Sequence, residues 1–220
     1  MEKMLKPAIR LLIITLIAGL ALGLVYSVTK EPIAKQKEQA AFDARQQALD
    51  ADEFIALDLD EMKQSDQWKN YFEDITGVYE GRINGVFCGW AVEITVKGYG
   101  GPIDLTVGIT SQGDKISGVK VLSHSETAGL GAKITTAAFL EQFYGKDVTK
   151  AINVVVGAGG NDIDAISGAS VSSRAVALGV TNAARCYRAF VLEDAGTEDP
   201  EGETSATQEE EENGEGGGAQ

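Results

Sequence analysis

The chain has 220 residues and a formal net charge of −14, a length that suits one domain with appendages rather than two full domains. The acidic balance argues against a nucleic-acid partner, because phosphate recognition needs clustered Lys and Arg. The charge is also localised: residues 193–220 hold eleven Asp or Glu and no Lys or Arg, so the rest of the chain is close to neutral.

From the N-terminus, Lys3, Lys6 and Arg10 precede Leu11 to Val28 (LLIITLIAGLALGLVYSV), an uncharged run of 18 residues. That is long enough to span a bilayer core as a helix. A cleaved secretory signal would have an apolar core of about 7–15 residues ending in a small-residue site. This run is longer, and no Ala-x-Ala follows it, so it reads as a retained single-pass anchor. The leading cations favour a cytoplasmic N-terminus, with Lys30, Lys35 and Lys37 opposing them in part. The bulk of the chain is therefore expected outside. Gly19 and Gly23 offer one small-residue face for a neighbouring helix.

After Pro32, Ile33 to Leu49 is rich in Ala, Gln, Lys and Glu and predicts a helix leading away from the membrane. A loop-rich stretch follows, in which Trp68, Tyr71 and Phe72 are expected in the core. Val78 to Ile83 reads as a strand, Asn84-Gly85 as a hairpin turn, and Val86 to Lys97 as a second strand. Gly98 to Pro102 turns the chain into Ile103 to Ile109, and Gln112 to Asp114 turns it into Lys115 to Leu122. These strands form an antiparallel meander. Thr135 to Tyr144 has helical spacing with Phe139, Leu140 and Phe143 inward, Ile152 to Val156 reads as a strand, and Val171 to Leu192 as a long helix. Strands in a block with helices after them specify an α+β domain. The expected organisation is an anchor over 1–30, a helical connector over 31–75, the main domain over 76–192 and a disordered acidic tail over 193–220. The tail holds no aromatic residue and cannot bury enough apolar surface to offset its ordering entropy. Cys88 and Cys186 have no zinc or iron–sulfur spacing and read as small buried hydrophobes.

Three glycine-marked segments carry the chemistry. The first is Gly98-Tyr99-Gly100-Gly101-Pro102-Ile103, a hairpin turn that would also let a ligand approach the backbone. The second is His124-Ser125-Glu126-Thr127-Ala128-Gly129-Leu130-Gly131-Ala132-Lys133, which sets acceptor, hydroxyl and amine groups beside glycines. His124 is the only histidine, so there is no His-based metal cage, and it reads as a surface or capping residue. The third is Asp164-Ala165-Ile166-Ser167-Gly168-Ala169-Ser170, after the loop Gly157-Ala158-Gly159-Gly160 and ahead of the last helix. Unpaired N–H groups at a helix start favour an attached phosphate. Taken as chemistry alone, Ser167 or Ser170 could equally be a helix cap.

The third segment resembles the flavinylation motif of FMN-binding-domain proteins, Asp-x-x-Ser/Thr-Gly-Ala-Ser/Thr, with Asp164, Ser167, Gly168, Ala169 and Ser170 filling it in order. The other two resemble companion signatures of that family, with Ala128 where proline is usual and Ser170 where threonine is usual. With one anchor and this length, the chain is most similar to the G subunits of Rnf-type ion-translocating ferredoxin:NAD⁺ oxidoreductases. The resemblance implies FMN covalently attached to Ser170, donated from FAD by a flavin transferase. It also implies an electron-carrying role among other subunits of a membrane complex, with no complete reaction by the chain alone. Tyr99, Gly100, Gly101, Glu126, Thr127, Gly129, Leu130, Gly131 and Lys133 are then expected around the flavin. The alternatives are the C subunit of the sodium-pumping NADH:quinone oxidoreductase, a stand-alone extracytoplasmic flavoprotein, and an anchored binding module without flavin.

Overall fold

The computed structural model describes residues 2–63, 73–112 and 114–192. Helix α1 (Glu2–Ala48) is unbroken over 47 residues. The apolar run and the polar helix after Pro32, separate in the sequence reading, are therefore one rod. It passes through Pro32 and forgoes one backbone bond there. From Ile9 to Ala40 every residue except Thr29 is exposed. Among the described residues, this is the one helix long and apolar enough to cross a membrane. Its hydroxyls fold back onto the preceding turn, Thr15 onto the Leu11 carbonyl at 3.0 Å and Thr29 onto Val25 at 2.8 Å. Such back-bonding satisfies these hydroxyls within the helix itself.

Strand β1 (Glu53–Ala56) and the single turn α2 (Leu59–Met62) come next, then β2 (Ile75–Ile83), β3 (Val86–Lys97), β4 (Pro102–Thr110) and β5 (Lys115–His124). The sheet is antiparallel in chain order, β1-β2-β3-β4-β5. The expected meander is present. β1 is an addition, paired to β2 with Phe54 opposite Gly81. The β2–β3 turn places Asn84 and Gly85 at φ 52° and 79°, the two left-handed positions of a tight hairpin. Trp68, Tyr71 and Phe72 lie outside the described residues, as does the acidic stretch 193–220.

Period-2 alternation gives the sheet two different faces. On one, Ile94, Val96, Ile103, Leu105, Val107 and Ile109 are buried under helix α4 (Ser170–Tyr187), which crosses β3 and β4 with Gly179 beside Leu105 and Val96. On the other face lies the end of α1. A side chain at Gly108 would collide with the Ala48 carbonyl, and Ser117 donates its hydroxyl to that same carbonyl at 2.8 Å. Arg45 pairs with Glu93 at 2.7 Å, both largely buried, and its guanidinium sits 3.7 Å over the Tyr79 ring. Burial, and then the Glu93 charge, raise the Tyr79 pKa. Phe42 meets Phe54 edge to face at 5.8 Å. The domain is thus three layers: the end of α1, the sheet, and α4.

The helix expected over 135–144 is broken. A 3-10 turn (Gly131–Thr135) precedes α3 (Ala137–Leu140) and a second 3-10 turn (Glu141–Phe143), because Thr136 is extended at ψ 144°. Phe139 and Phe143 are buried as expected, edge to face at 5.6 Å, and Leu140 is partly buried. The strand expected over 152–156 contracts to β6 (Val154–Val155), parallel to β7 (Ile163–Asp164). α4 ends in a π-helical turn, Arg188–Leu192. Cys88 is half-buried and Cys186 buried, both free thiols, and burial pushes the Cys186 pKa up to about 12.

Candidate functional site

The topology explains why segments far apart in sequence meet. The turn Gly98–Gly101 joins β3 to β4, and Ile103 pairs with His124 at the last position of β5. The first and second segments therefore leave one end of the sheet side by side. The N-terminus of α4 is brought to them by a buried carboxylate. Glu126, 8% exposed, accepts the Gly100 N–H on Oε1 at 3.0 Å and the Ser172 hydroxyl on Oε2 at 2.7 Å. Its own N–H donates to His124 Nδ1 at 3.2 Å, so His124 shapes a turn. Burying a carboxylate without a cation is tolerable only when strong donors replace water, and the two donors here come from the first segment and from the first turn of α4. The space for it depends on glycine. A side chain at Gly131 would run into Glu126 Oε2 and Ser172 Oγ.

Beyond Glu126, the second segment curls tightly, with Leu130 and Ala132 N–H groups donating to the Thr127 carbonyl at 3.2 and 3.1 Å. This turn presents Thr127, Gly129, Leu130 and Lys133 to solvent. The Lys133 ammonium has no partner among the described residues. Tyr99, 78% exposed, stands on the adjacent turn. Leu130 lies beside Gly168, whose φ of +77° turns the chain into α4; that left-handed geometry is costly for residues with a Cβ. Ala169 occupies the cap position and makes no side-chain cap, and α4 begins at Ser170. The cap reading of Ser167 and Ser170 is thereby corrected. Neither hydroxyl makes a hydrogen bond among the described residues, and both residues are exposed. The capping work is done from inside the helix, where Ser173 accepts the Ile166 N–H at 3.0 Å and donates to the Ala169 carbonyl at 2.9 Å.

Asp164 serves its own loop. Its Oδ1 accepts the Gly157 and Ala158 N–H groups at 2.6 and 3.0 Å, and its N–H donates to Gln142 at 2.7 Å. Behind it, Lys146 donates to the Gly160 and Asp162 carbonyls, and Asn161 bridges to Asp147, Lys150 and Ala151. These bonds hold the glycine-rich loop that delivers the third segment. Sequence reasoning missed Ser172, Ser173, Gln142, Lys146 and Asn161. The one signal for the serines was a Ser-Ser pair at the buried positions of a helical period right after Ser170.

The donor set fits an attached phosphate. The N–H groups of Ser170, Val171 and Ser172 have no acceptor among the described residues, as expected of a helix start. The first turn of α4 holds no acidic residue, and the Ser170 hydroxyl is uncommitted. An FMN carried there would be held by the α4 start. Its ring system would lie against the exposed rim of Tyr99, Thr127, Gly129, Leu130 and Lys133. Among the described residues, no group of three or more His, Cys, Asp or Glu could hold a metal ion.

The FMN-binding domain family matches residues 98–185, a span that includes all three segments. The G subunit of the Na(+)-translocating ferredoxin:NAD(+) oxidoreductase complex of Acetobacterium woodii is 32% identical, covering 83% of this chain and 91% of that protein. The G subunit of the ion-translocating oxidoreductase complex of Methanosarcina acetivorans is 31% identical, covering 78% and 87%. Among solved structures, the C subunit of the Na(+)-translocating NADH-quinone reductase from Parabacteroides distasonis shares the fold, with a TM-score of 0.52 at 23% identity over 70% of this chain and 93% of that one. The chain belongs to the family of Rnf-type ion-translocating oxidoreductase complex G subunits and carries an FMN-binding domain.

Proposed function

We propose that this chain is the membrane-anchored electron-carrying subunit of an Rnf-type ferredoxin:NAD⁺ oxidoreductase coupled to ion movement, with FMN joined to Ser170 as a phosphodiester. The observation that supports it most is the Ser170 hydroxyl. It is exposed and unbonded at the head of α4, where Glu126 gathers the other two segments. Attachment balances simply. The Ser170 Oγ–P bond forms, the bond between the two phosphates of FAD breaks, AMP leaves, and the hydroxyl proton passes to a base on the flavin transferase. Bound FMN accepts one or two electrons and so links nicotinamide chemistry to iron–sulfur carriers.

The chain's own residues supply placement. Glu126 fixes the rim on which the ring rests, Asp164 holds the loop that delivers Ser170, and Lys133 sets a free positive charge where reduction adds negative charge. Residues 1–30 anchor the chain with the N-terminus on the cytoplasmic side, and residues 76–192 carry the flavin outside. Tethering gives the flavin a high effective concentration beside its partner subunits.

The test is expression of the full chain with a flavin transferase, followed by in-gel flavin fluorescence and mass spectrometry of the Ser170 peptide. The expected result is one FMN on Ser170 and none in the Ser170→Ala variant. A variant that still fluoresces, or an unloaded wild type from native membranes, overturns the reading.

A further inference from the structure

Helix α4 shows one exposed ridge near its start: Ser170, Val171, Arg174 and Leu178 are exposed, while Ser172, Ser173, Ala175, Val176 and Ala177 are buried. Ser170 and Arg174 are four residues apart and so neighbours on the helix surface, with about 5–6 Å between their Cβ atoms. Helical side chains lean toward the N-terminus, and a long one covers the turn before its own Cα. From this position the Arg174 guanidinium can reach over the turn that begins at Ser170.

This arginine is uncommitted. Arg45 and Arg82 are spent in ion pairs with Glu93 and Glu80, and Arg185 and Arg188, farther along the same helix, both have partners. Arg174 has no hydrogen bond or ion pair among the described residues, and no carboxylate stands in the first turn of α4 to compete for it. Beside it lie the three unpaired N–H groups of the helix start and the free hydroxyl of Ser170.

We infer that Arg174 is the phosphate-positioning residue of this site, its guanidinium donating to the two non-bridging oxygens of a phosphodiester carried on Ser170. The inference rests on the flavin reading of Ser170. A phosphodiester spreads one negative charge over two oxygens, which suits the planar two-pronged fork of arginine. Lysine offers only a point charge. The helix start donates to the phosphate from along the axis and Arg174 from the ridge. The two together fix the tethered end of the flavin and limit the volume its ring can sweep.

The test uses the full chain in detergent, with and without a co-expressed flavin transferase, as wild type, Arg174→Gln and Arg174→Lys. Loading is measured first, by in-gel fluorescence. Thermal unfolding then gives the rise in Tm on loading, and ³¹P NMR reports the phosphodiester directly. The unloaded proteins are expected to melt together, because Arg174 makes no hydrogen bond or ion pair among the described residues. On loading, Arg174→Gln is expected to lose at least half of the wild-type rise and to shift the ³¹P resonance, with Arg174→Lys intermediate in both. An equal rise and an unmoved resonance in Arg174→Gln overturn the role of Arg174 and leave the flavin reading intact. A wild type without flavin overturns both. If Arg174→Gln does not load, the Lys variant decides: a rise and a resonance equal to wild type sink the proposal, and a smaller rise with a shifted resonance supports it.

Discussion

Two regions of this molecule depend on tight approach to a glycine, and they use it for opposite ends. At the joint between α1 and the sheet, Gly108 admits the Ala48 carbonyl, and Arg45, Glu93, Tyr79, Phe42 and Phe54 are all engaged with one another. At the far end of the same strands, Gly131 admits the Glu126 carboxylate, but the groups around it stay free. Ser170, Lys133 and Arg174 make no side-chain bond among the described residues, and Tyr99 stands mostly in solvent. A surface whose charged and aromatic groups are paired, with the buried Thr106 hydroxyl the exception among the described residues, stabilises the fold. One that leaves a hydroxyl, two cations and three amides unpaired among the described residues, around a buried carboxylate, keeps donors available to a ligand.

That contrast can be broken from either side. The largest expected effect is at the joint. Gly108→Val, with a branched side chain against backbone, should destabilise the full chain by about 3 kcal/mol in denaturant melts. An unchanged midpoint would mean that α1 is not seated on the sheet. Next comes the clamp. Glu126→Ala leaves the Gly100 N–H and the Ser172 hydroxyl without their acceptor, for a loss of about 2–3 kcal/mol and faster amide exchange in both glycine segments. Glu126→Gln keeps one acceptor and should cost about 1 kcal/mol. Ser170→Ala belongs to the free set, and unloaded it should melt within about 0.5 kcal/mol of wild type. A large loss there would mean the hydroxyl is structural after all.

The smallest effect concerns pH. The Thr149 hydroxyl and N–H, with Lys150 behind them, hold the Asp147 pKa below its ordinary 3.8 against partial burial. Its stabilisation is complete above the ordinary value and fades as pH falls through the lowered one. Asp147→Ala should therefore cost under about 1 kcal/mol at neutral pH after solvent screening, a deficit that closes as pH falls below the ordinary value. A deficit that persists undiminished into acid would contradict the assignment.

Much of the sheet was legible because β3, β4 and β5 alternate strongly and their turns carry Asn-Gly and glycine signals. β1 was not. It has four residues, only one of them even half-buried, so no period shows, and its place depends on β2. The helix over 135–144 failed because Thr136 sits extended inside an otherwise helical run of apolar spacing. At the site, the exposed residues were legible as motifs, whereas the Glu126–Ser172 bond spans 46 positions. Nothing local marks it, since a buried serine two places after an exposed one is ordinary helical pattern. Asp164 was legible as a motif member, but its work for the Gly157 loop appears only once that loop is folded against it.

The unbroken helix α1 has one more consequence. Arg45 reaches Glu93, opposite Thr106, while Ala48 lies against Gly108. With Phe42 against Phe54 on β1, the helix therefore crosses the strands from β1 through β3 to β4 as it finishes. A rod seated this way sets the bearing of the domain as a key sets its bit, because each added residue turns it by about 100° and lifts it by about 1.5 Å. Two alanines inserted between Ile33 and Gln39 would swing the Ser170 edge by about 200° for about 3 Å of lift, and four by about 40° for about 6 Å. With a slack leash, four would do no less harm than two to electron transfer in the assembled complex. With a rod, two are worse than four.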